Sequence, residues 1–254
     1  MATKVKEISN SVASPEPKEN KPSAAGKAFR IIGLIAIIII IFAAIITSMT
    51  IKTPASSQVW FEEMTVGNKD AKNYFYTYTD IVCPYCVAFE NAIIEHEDEF
   101  EKYIEENDIL FEVRLSNFLY RYGQFQTKHS NYSAIAAYCA KDEGKFWEYY
   151  RHAITTIWHD YFETYGKNAL TILDKNDKSY WLDLGKQIGL GESFATCYNE
   201  EKPAPIIDEQ ADKTAKVVSG LPSFKFNSYS PPGFDMTWGW EYVKMFFDEG
   251  LKSR

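Results

Sequence analysis

The sequence predicts an α/β fold, a central mixed sheet carrying a helical insertion, preceded by one N-terminal transmembrane helix. Three observations predict it. The strand-like run Asn73-Tyr74-Phe75-Tyr76-Thr77-Tyr78-Thr79 gives way to a helical period and then to a second strand-like run, Ile109 to Leu115, which makes one βαβ unit. From about residue 128 to 216 the pattern is mostly helical, and strand character returns only at Ser223-Phe224-Lys225-Phe226. Ahead of all this, the 21 residues between Arg30 and Lys52 carry no formal charge.

That apolar segment includes Ile31-Ile32-Gly33-Leu34-Ile35-Ala36 and the run Ile37 to Phe42, with no polar side chain before Thr47. At about 1.5 Å of rise per residue, a helix of this length matches the ~30 Å hydrocarbon core of a bilayer. Residues 1–30 hold six cations and three acids, a net of +3, and are rich in Lys, Ser, Glu and Pro, the composition of a disordered tail. The whole chain of 254 residues carries −8, which leaves −11 for residues 31–254. Cations beside a span stay on the cytoplasmic side. The expected order is therefore a cytoplasmic tail (1–30), a transmembrane signal-anchor (31–51), a linker (52–58) and an extracytoplasmic domain (59–254). A secretory signal cleaved near Ala55 to Ser57 is the alternative, and it exports the same domain. The acidic balance speaks against nucleic acid as a partner. About 200 residues after the anchor suffice for one domain with a sizeable core.

Within the domain, Gly67-Asn68-Lys69-Asp70 reads as a turn before the first strand. Aromatic and β-branched residues make 73–79 a good central strand. From Pro84 onward Phe89, Ile93, Phe100 and Ile104 recur at helical spacing, while Glu90, Glu95, Asp98, Glu99 and Glu101 supply a wet face, so one long helix is expected. The insertion (128–216) resolves into helices at Ser130 to Lys141, Phe146 to Trp158, Tyr180 to Ile188, Ser193 to Asn199 and Ile206 to Val218. A terminal helix, Trp238 to Leu251, turns Val243, Phe246 and Phe247 inward. The plan is a βαβ half, a helical insertion, then a ββα half.

Between the first strand and the long helix lies Cys83-Pro84-Tyr85-Cys86. Two thiols separated by two residues can close a small disulfide. Proline at the first turn is well placed to start the helix. At a helix N-terminus the partial positive charge favours the first thiolate, and a sulfur stable as an anion is a good leaving group. Cys83 is then the exposed nucleophile, and Cys86 its more buried partner one turn further in.

Four segments carry a family resemblance: Val66-Gly67-Asn68-Lys69-Asp70-Ala71, Thr77-Tyr78-Thr79-Asp80-Ile81-Val82-Cys83-Pro84-Tyr85-Cys86, Gly144-Lys145-Phe146-Trp147-Glu148-Tyr149 and Ser219-Gly220-Leu221-Pro222-Ser223-Phe224. In that order, over roughly residues 59 to 250, they resemble the DsbA-like thioredoxin-fold oxidoreductases. The resemblance implies a thioredoxin-like fold and catalytic roles for Cys83, Cys86, Pro84, Tyr85 and Pro222. It implies that Pro222 is cis and faces the disulfide. Gly220 and Leu221 would bind substrate, the Leu221 backbone pairing with an extended chain. Tyr85 stands where the best-known members carry histidine, and Leu221 where smaller or β-branched residues are more usual. No cofactor is expected. The resemblance further implies a quinone-linked membrane partner that reoxidises the pair. The expected activity is a membrane-tethered thiol–disulfide oxidoreductase that introduces disulfides into unfolded or reduced exported proteins. The alternatives are a thiol reductase or disulfide isomerase in the same compartment, and a non-catalytic anchored binding module with a structural Cys83–Cys86 bridge.

The other two cysteines differ in character. Cys139 lies beside Ile135 and Ala136 in one helix, and Cys197 near Phe194 in another. An even cysteine count in an exported domain suits a structural disulfide between them, and two buried free thiols are the alternative. Structural zinc usually takes two close cysteine pairs, and His96, His129, His152 and His159 show no ligand spacing, so no metal is expected. There is no Gly-rich phosphate loop and no Ser/His/Asp signature. The 17 Tyr, 17 Phe and 6 Trp read mainly as core, with Tyr85, Trp158 or Trp238 as candidates for an apolar rim that receives unfolded chains.

Overall fold

A computed structural model of the chain describes residues 64–123 and 127–253. These belong to the second of two units, residues 56–254. The first unit, 1–55, lies outside the described residues, and with it the expected tail, the signal-anchor (31–51) and most of the linker. Among the described residues no helix is long and apolar enough to cross a membrane.

The described strands are β1 (Thr65–Gly67), β2 (Asn73–Thr79), β3 (Ile109–Leu115) and β4 (Ser223–Phe226), in the sheet order β1-β3-β2-β4. β2 and β3 run parallel in unbroken register from Asn73↔Ile109 to Thr79↔Leu115, while β1 on β3 and β4 on β2 are antiparallel. The sheet is therefore mixed. β2 alternates strictly, with Asn73, Phe75, Thr77 and Thr79 buried and the three tyrosines between them half-buried, because its side chains point to opposite faces in turn.

The crossover is made by α1 (Pro84–Ile94) and α2 (Glu97–Glu106), not by the one long helix expected. The chain breaks at His96, which adopts φ −124° and ψ 35°. A straight helix over this span would run about 35 Å, whereas seven-residue strands cover only about 23 Å. Breaking the helix lets Phe89 pack on Phe75 and Phe100 on Phe111 over the same face. It also places Glu97, Asp98 and Glu99 at the positive end of α2.

The insertion holds α3 (Phe118–Tyr122), α4 (Lys128–Asp142), α5 (Phe146–Ile157), a π-helical turn (Trp158–Phe162), α6 (Glu163–Tyr165), α7 (Ala169–Leu173), α8 (Ser179–Gln187), α9 (Glu192–Asn199) and α10 (Ala204–Ala215). It begins at Phe118, ten residues before the expected 128, because α3 depends on a distant partner instead of a cap of its own: Asn117, at its N-cap, makes no side-chain cap bond. The chain closes with α11 (Trp240–Lys252). The expected ββα half keeps one strand. After β4 the ladder ends in a single bridge, Phe226↔Tyr229, and Pro231 and Pro232 then supply no N–H to extend it.

Phe75 is the hub of the sheet's core face, with ring centroids of Phe89, Phe111, Phe224, Phe226 and Phe247 between 4.5 and 6.1 Å away. α11 approaches so closely that a Cβ on Gly250 would lie 1.9 Å from the Phe226 ring. In the insertion, Trp181, Tyr149, Phe194 and Tyr198 are fully buried, and the Trp181 indole donates to His129 at 2.9 Å. Cys139 of α4 and Cys197 of α9 are joined by a disulfide that closes 58 residues. Chain entropy then predicts that Cys139→Ala/Cys197→Ala loses about 4 kcal/mol. Urea unfolding of the double variant against the parent measures it.

Candidate functional site

β2 ends at Thr79, and Asp80, Ile81 and Val82 are wholly buried in the turn that follows. Cys83 is the N-cap of α1, extended at φ −76° and ψ 119°, and Pro84 is the first helical residue. The Cys83 amide donates to Asp80 O at 3.0 Å, and Val87 donates to Cys83 O at 2.9 Å. Cys83 thus stands at the positive end of α1, over the C-terminal edge of the parallel strands.

Cys83 and Cys86 are both free thiols. The expectation that Cys83 is exposed is corrected: it is 4 % exposed, Cys86 is 0 %, and the ring of Tyr85 between them is 47 % exposed. The cause is the loop before β4, whose Leu221 carbonyl accepts from Cys83 Sγ at 3.7 Å. The Leu221–Pro222 peptide is cis, and Pro222 is buried while Gly220 and Leu221 are half-buried. Ser223 Oγ donates to Gly220 O at 2.7 Å and ties the loop down. The structure therefore brings Cys83 and Leu221 into contact, with Cys86 one turn deeper and Pro222 next in the chain to Leu221.

Two buried acids near the pair escaped the sequence reading. Glu90, assigned to a wet face, is almost fully buried. It lies four residues after Cys86, hence on the same side of α1. Burial pushes its carboxyl up to about 8, with the Tyr150 hydroxyl of α5 acting in the other direction. The Tyr150 hydroxyl is also influenced by Cys86 and Thr79, so the acid, the phenol and the deeper sulfur belong to one buried cluster. Burial, and then the neighbouring Cys83, push the Cys86 thiol well up, against the Asp80 amide and the Thr79 hydroxyl. Glu90 Oε1, Tyr150 OH and Thr79 Oγ1 are buried without a conventional hydrogen-bond partner among the described residues. Glu90 and Tyr150 line a cavity of about 330 Å³, walled by Phe100, Phe111, Trp147 and Arg151 and roomy enough to admit water. The second acid, Asp80, is pushed up to about 6 by burial, opposed by hydrogen bonds from Ser130, Leu119 and Val82. A signal for both was present. α1 is apolar nearly all round, so Glu90 has no wet face to occupy, and Asp80 is a lone charge between a central strand and Ile81-Val82.

Of the candidate rim residues, Trp158 and Trp238 are half-buried against the core, Trp238 stacked on Tyr242 at 4.6 Å, and only Tyr85 is well exposed. Tyr120 and Tyr122 on α3 are exposed rings that the sequence reading did not single out. His129, His152 and His159 bond to Trp181, Gln187 and Glu163 respectively. Among the described residues no three metal-ligating side chains cluster.

A mixed sheet with a crossover helix that begins in a vicinal thiol pair, faced by an X–Pro loop, defines a thioredoxin-fold thiol–disulfide oxidoreductase. A family model described as Thioredoxin matches residues 61–231, and the chain belongs to that family. Among solved structures it is similar to BdbD from Bacillus subtilis in its oxidised form, at 17% identity over 74% of this chain and 92% of that one, with a TM-score of 0.54. It is also similar to a thioredoxin-like oxidoreductase from Silicibacter pomeroyi, at 17% identity over 75% and 92% of the two chains and a TM-score of 0.51. With alpha-DsbA1 from Wolbachia pipientis it shares 16% identity over 75% and 91%, TM-score 0.51. At these identities the likeness is one of fold. No curated protein matches the chain.

The buried Glu90 has a measurable signature. An acid whose folded pKa is raised keeps its proton longer in the folded state, so its contribution to stability falls as pH rises from about 4.5 to about 8. Glu90→Gln removes that fall, which amounts to at most about 5 kcal/mol. Urea unfolding at pH 5 and pH 9 is expected to show a smaller pH difference in the variant than in the parent.

Proposed function

We propose that the protein is a membrane-tethered thiol–disulfide oxidoreductase that introduces disulfide bonds into exported proteins through Cys83 and Cys86. The observation that carries this reading is the seat of Cys83: N-cap of α1, sulfur against the Leu221 carbonyl, with Cys86 wholly buried behind it. With the pair oxidised, a substrate thiolate attacks Cys83 Sγ and expels Cys86. The departing sulfur is in a dry site that disfavours its anion, so it takes a proton. Glu90 holds one below about pH 8, and it shares a buried cluster with Tyr150 and that sulfur. A second substrate thiolate then attacks the substrate sulfur of the mixed disulfide, and Cys83 leaves. Two substrate thiols have become a disulfide, and the pair carries the two electrons.

Pro84 and Tyr85 shape the turn that bears Cys83. The backbone of Gly220 and Leu221, ahead of Pro222, pairs with the extended substrate chain. The disulfide between Cys139 and Cys197 supports an oxidising compartment, hence an exported domain. Residues 31–51 serve as the anchor with the N-terminus cytoplasmic, and a quinone-linked partner in the same membrane takes the electrons back.

The test is oxidation of an unfolded, reduced substrate by the full chain in vesicles. Neither Cys83→Ser nor Cys86→Ser can hold the disulfide, so both are expected to fall to background, while Cys86→Ser offered an oxidised substrate is expected to trap a mixed disulfide at Cys83. Equilibration with glutathione fixes the direction: a strongly reducing pair would move the assignment to a reductase or isomerase.

A further inference from the structure

Asp80 takes no part in the steps above, yet it is the polar group through which the redox turn meets the insertion. Its Oδ1 accepts from Val82 N at 3.1 Å, within the turn that leads to Cys83. Its Oδ2 accepts from Leu119 N of α3 at 2.9 Å and from Ser130 Oγ of α4 at 2.6 Å. Ser130 Oγ in turn accepts from Tyr120 N at 3.1 Å, and the Asp80 backbone carbonyl receives the Cys83 amide. We propose that Asp80 is a positioning residue for the redox pair, an ionised latch that holds the Cys83 turn against the helical insertion. The proposal rests on the oxidoreductase reading.

Every partner of this carboxylate is a donor, and two of the three are backbone amides that cannot accept. A protonated Asp80 therefore gives up acceptor capacity toward those amides, and the one acceptor for its own proton, Ser130 Oγ, must reverse the hydrogen bond it now donates. Among the described residues no counter-charge shares the site. On the same turn and helix, Cys83 and Cys86 are thiols. On α3, Arg121 is held by Asp208 at 3.1 Å and Asp212 at 2.7 Å, both of α10, and Tyr122 donates to Asp212. On α4, His129 is bonded to the Trp181 indole, Tyr138 donates to Leu115 O, and Lys128 opens the helix. The carboxylate is thus stabilised by three dipoles alone, in a site where burial favours its neutral form and moves its titration to about 6. Below that pH the latch opens. Three segments are released from one another, and Cys83 loses the turn that sets it against Leu221.

The experiment uses the full chain, its pair oxidised, and follows the oxidation of a reduced peptide from pH 5 to pH 8. The parent rate is divided by that of Asp80→Asn at each pH, which cancels the titration of the peptide thiol. One hydrogen bond to a charged group corresponds to a factor of about ten or more. The ratio is therefore expected near one at pH 5 and about ten at pH 7.5, with its step near pH 6. Ser130→Ala, lacking one donor to the anion, is expected to shift the step upward. A ratio that is flat with pH, whether at one or far above it, overturns the proposal, because a purely structural residue weakens the protein equally at both ends. Should Asp80→Asn fail to fold, the parent rate divided by that of Ser130→Ala decides alone: it is expected to rise between pH 5 and pH 7, and a flat ratio overturns the proposal. Should the parent oxidise nothing at any pH, the oxidoreductase reading falls. Alkylation of Cys83 by iodoacetamide in the reduced protein then judges the latch by the same ratio.

Discussion

The parallel pairing of β2 with β3 obliges the chain to cross over the sheet between them, and the crossover begins where β2 ends. A helix N-terminus is thereby delivered to the C-terminal edge of the sheet, and Cys83 is the residue at the junction. Its position is a consequence of topology before it is one of chemistry. Aromatic packing fixes the rest: Phe89, three residues beyond Cys86, lies 4.5 Å from Phe224, and Phe224 is two residues beyond Pro222. One ring contact thus sets α1 and the X–Pro loop opposite each other, with the Cys83 sulfur against the Leu221 carbonyl.

Around that junction the molecule tolerates what it avoids elsewhere. Asp80 is three residues before Cys83, Glu90 four after Cys86, and both are buried carboxyls without a cationic partner among their hydrogen bonds. Burying a charge so is unfavourable unless dipoles or a proton compensate. The two sites solve the problem differently. Three donors converge on Asp80, so ionisation is supported there, whereas Glu90 faces one hydroxyl and an open cavity and keeps its proton to about pH 8. Many other charges form exposed pairs, such as Lys186–Asp183 and Lys252–Glu249, whose contribution to stability is small. Among the described residues, the two carboxyls that burial raises furthest toward neutrality thus both lie beside the sulfurs.

Period and composition made much of this legible. Aromatic and β-branched composition marks the central strand 73–79 residue for residue, and the ends of the helices at Phe146, Ser193 and Trp238 fall within two residues of those observed. What escaped is what local pattern does not encode. The break at His96 follows from fitting a helix to the length of a strand. α3 is made of five residues whose amide partner is a carboxylate 39 positions earlier. Glu90 was assigned to solvent because its neighbours on α2 are wet, although its own helix is enclosed. The motif by itself predicts an exposed Cys83, since nothing within it shows that Leu221 covers the sulfur. In each case a long-range contact overrode a sound local inference.

The insertion is accordingly more than a cover for the sheet. α4 supplies Ser130 to the anion before Cys83, and α5 supplies Tyr150 to the buried cluster that holds Glu90 and Cys86. Ser130 lies near the start of α4 and Cys139 near its end, where the disulfide to Cys197 ties that helix to α9. A rigid helix transmits a constraint along its length, so fixing α4 at Cys139 also fixes where Ser130 meets Asp80. The structural bridge and the redox pair, far apart in sequence, are joined through one helix and one carboxylate. Ser130 and Tyr150, which a reading of the Cys-Pro-Tyr-Cys motif alone would leave out, thus belong to the polar surroundings of the two sulfurs.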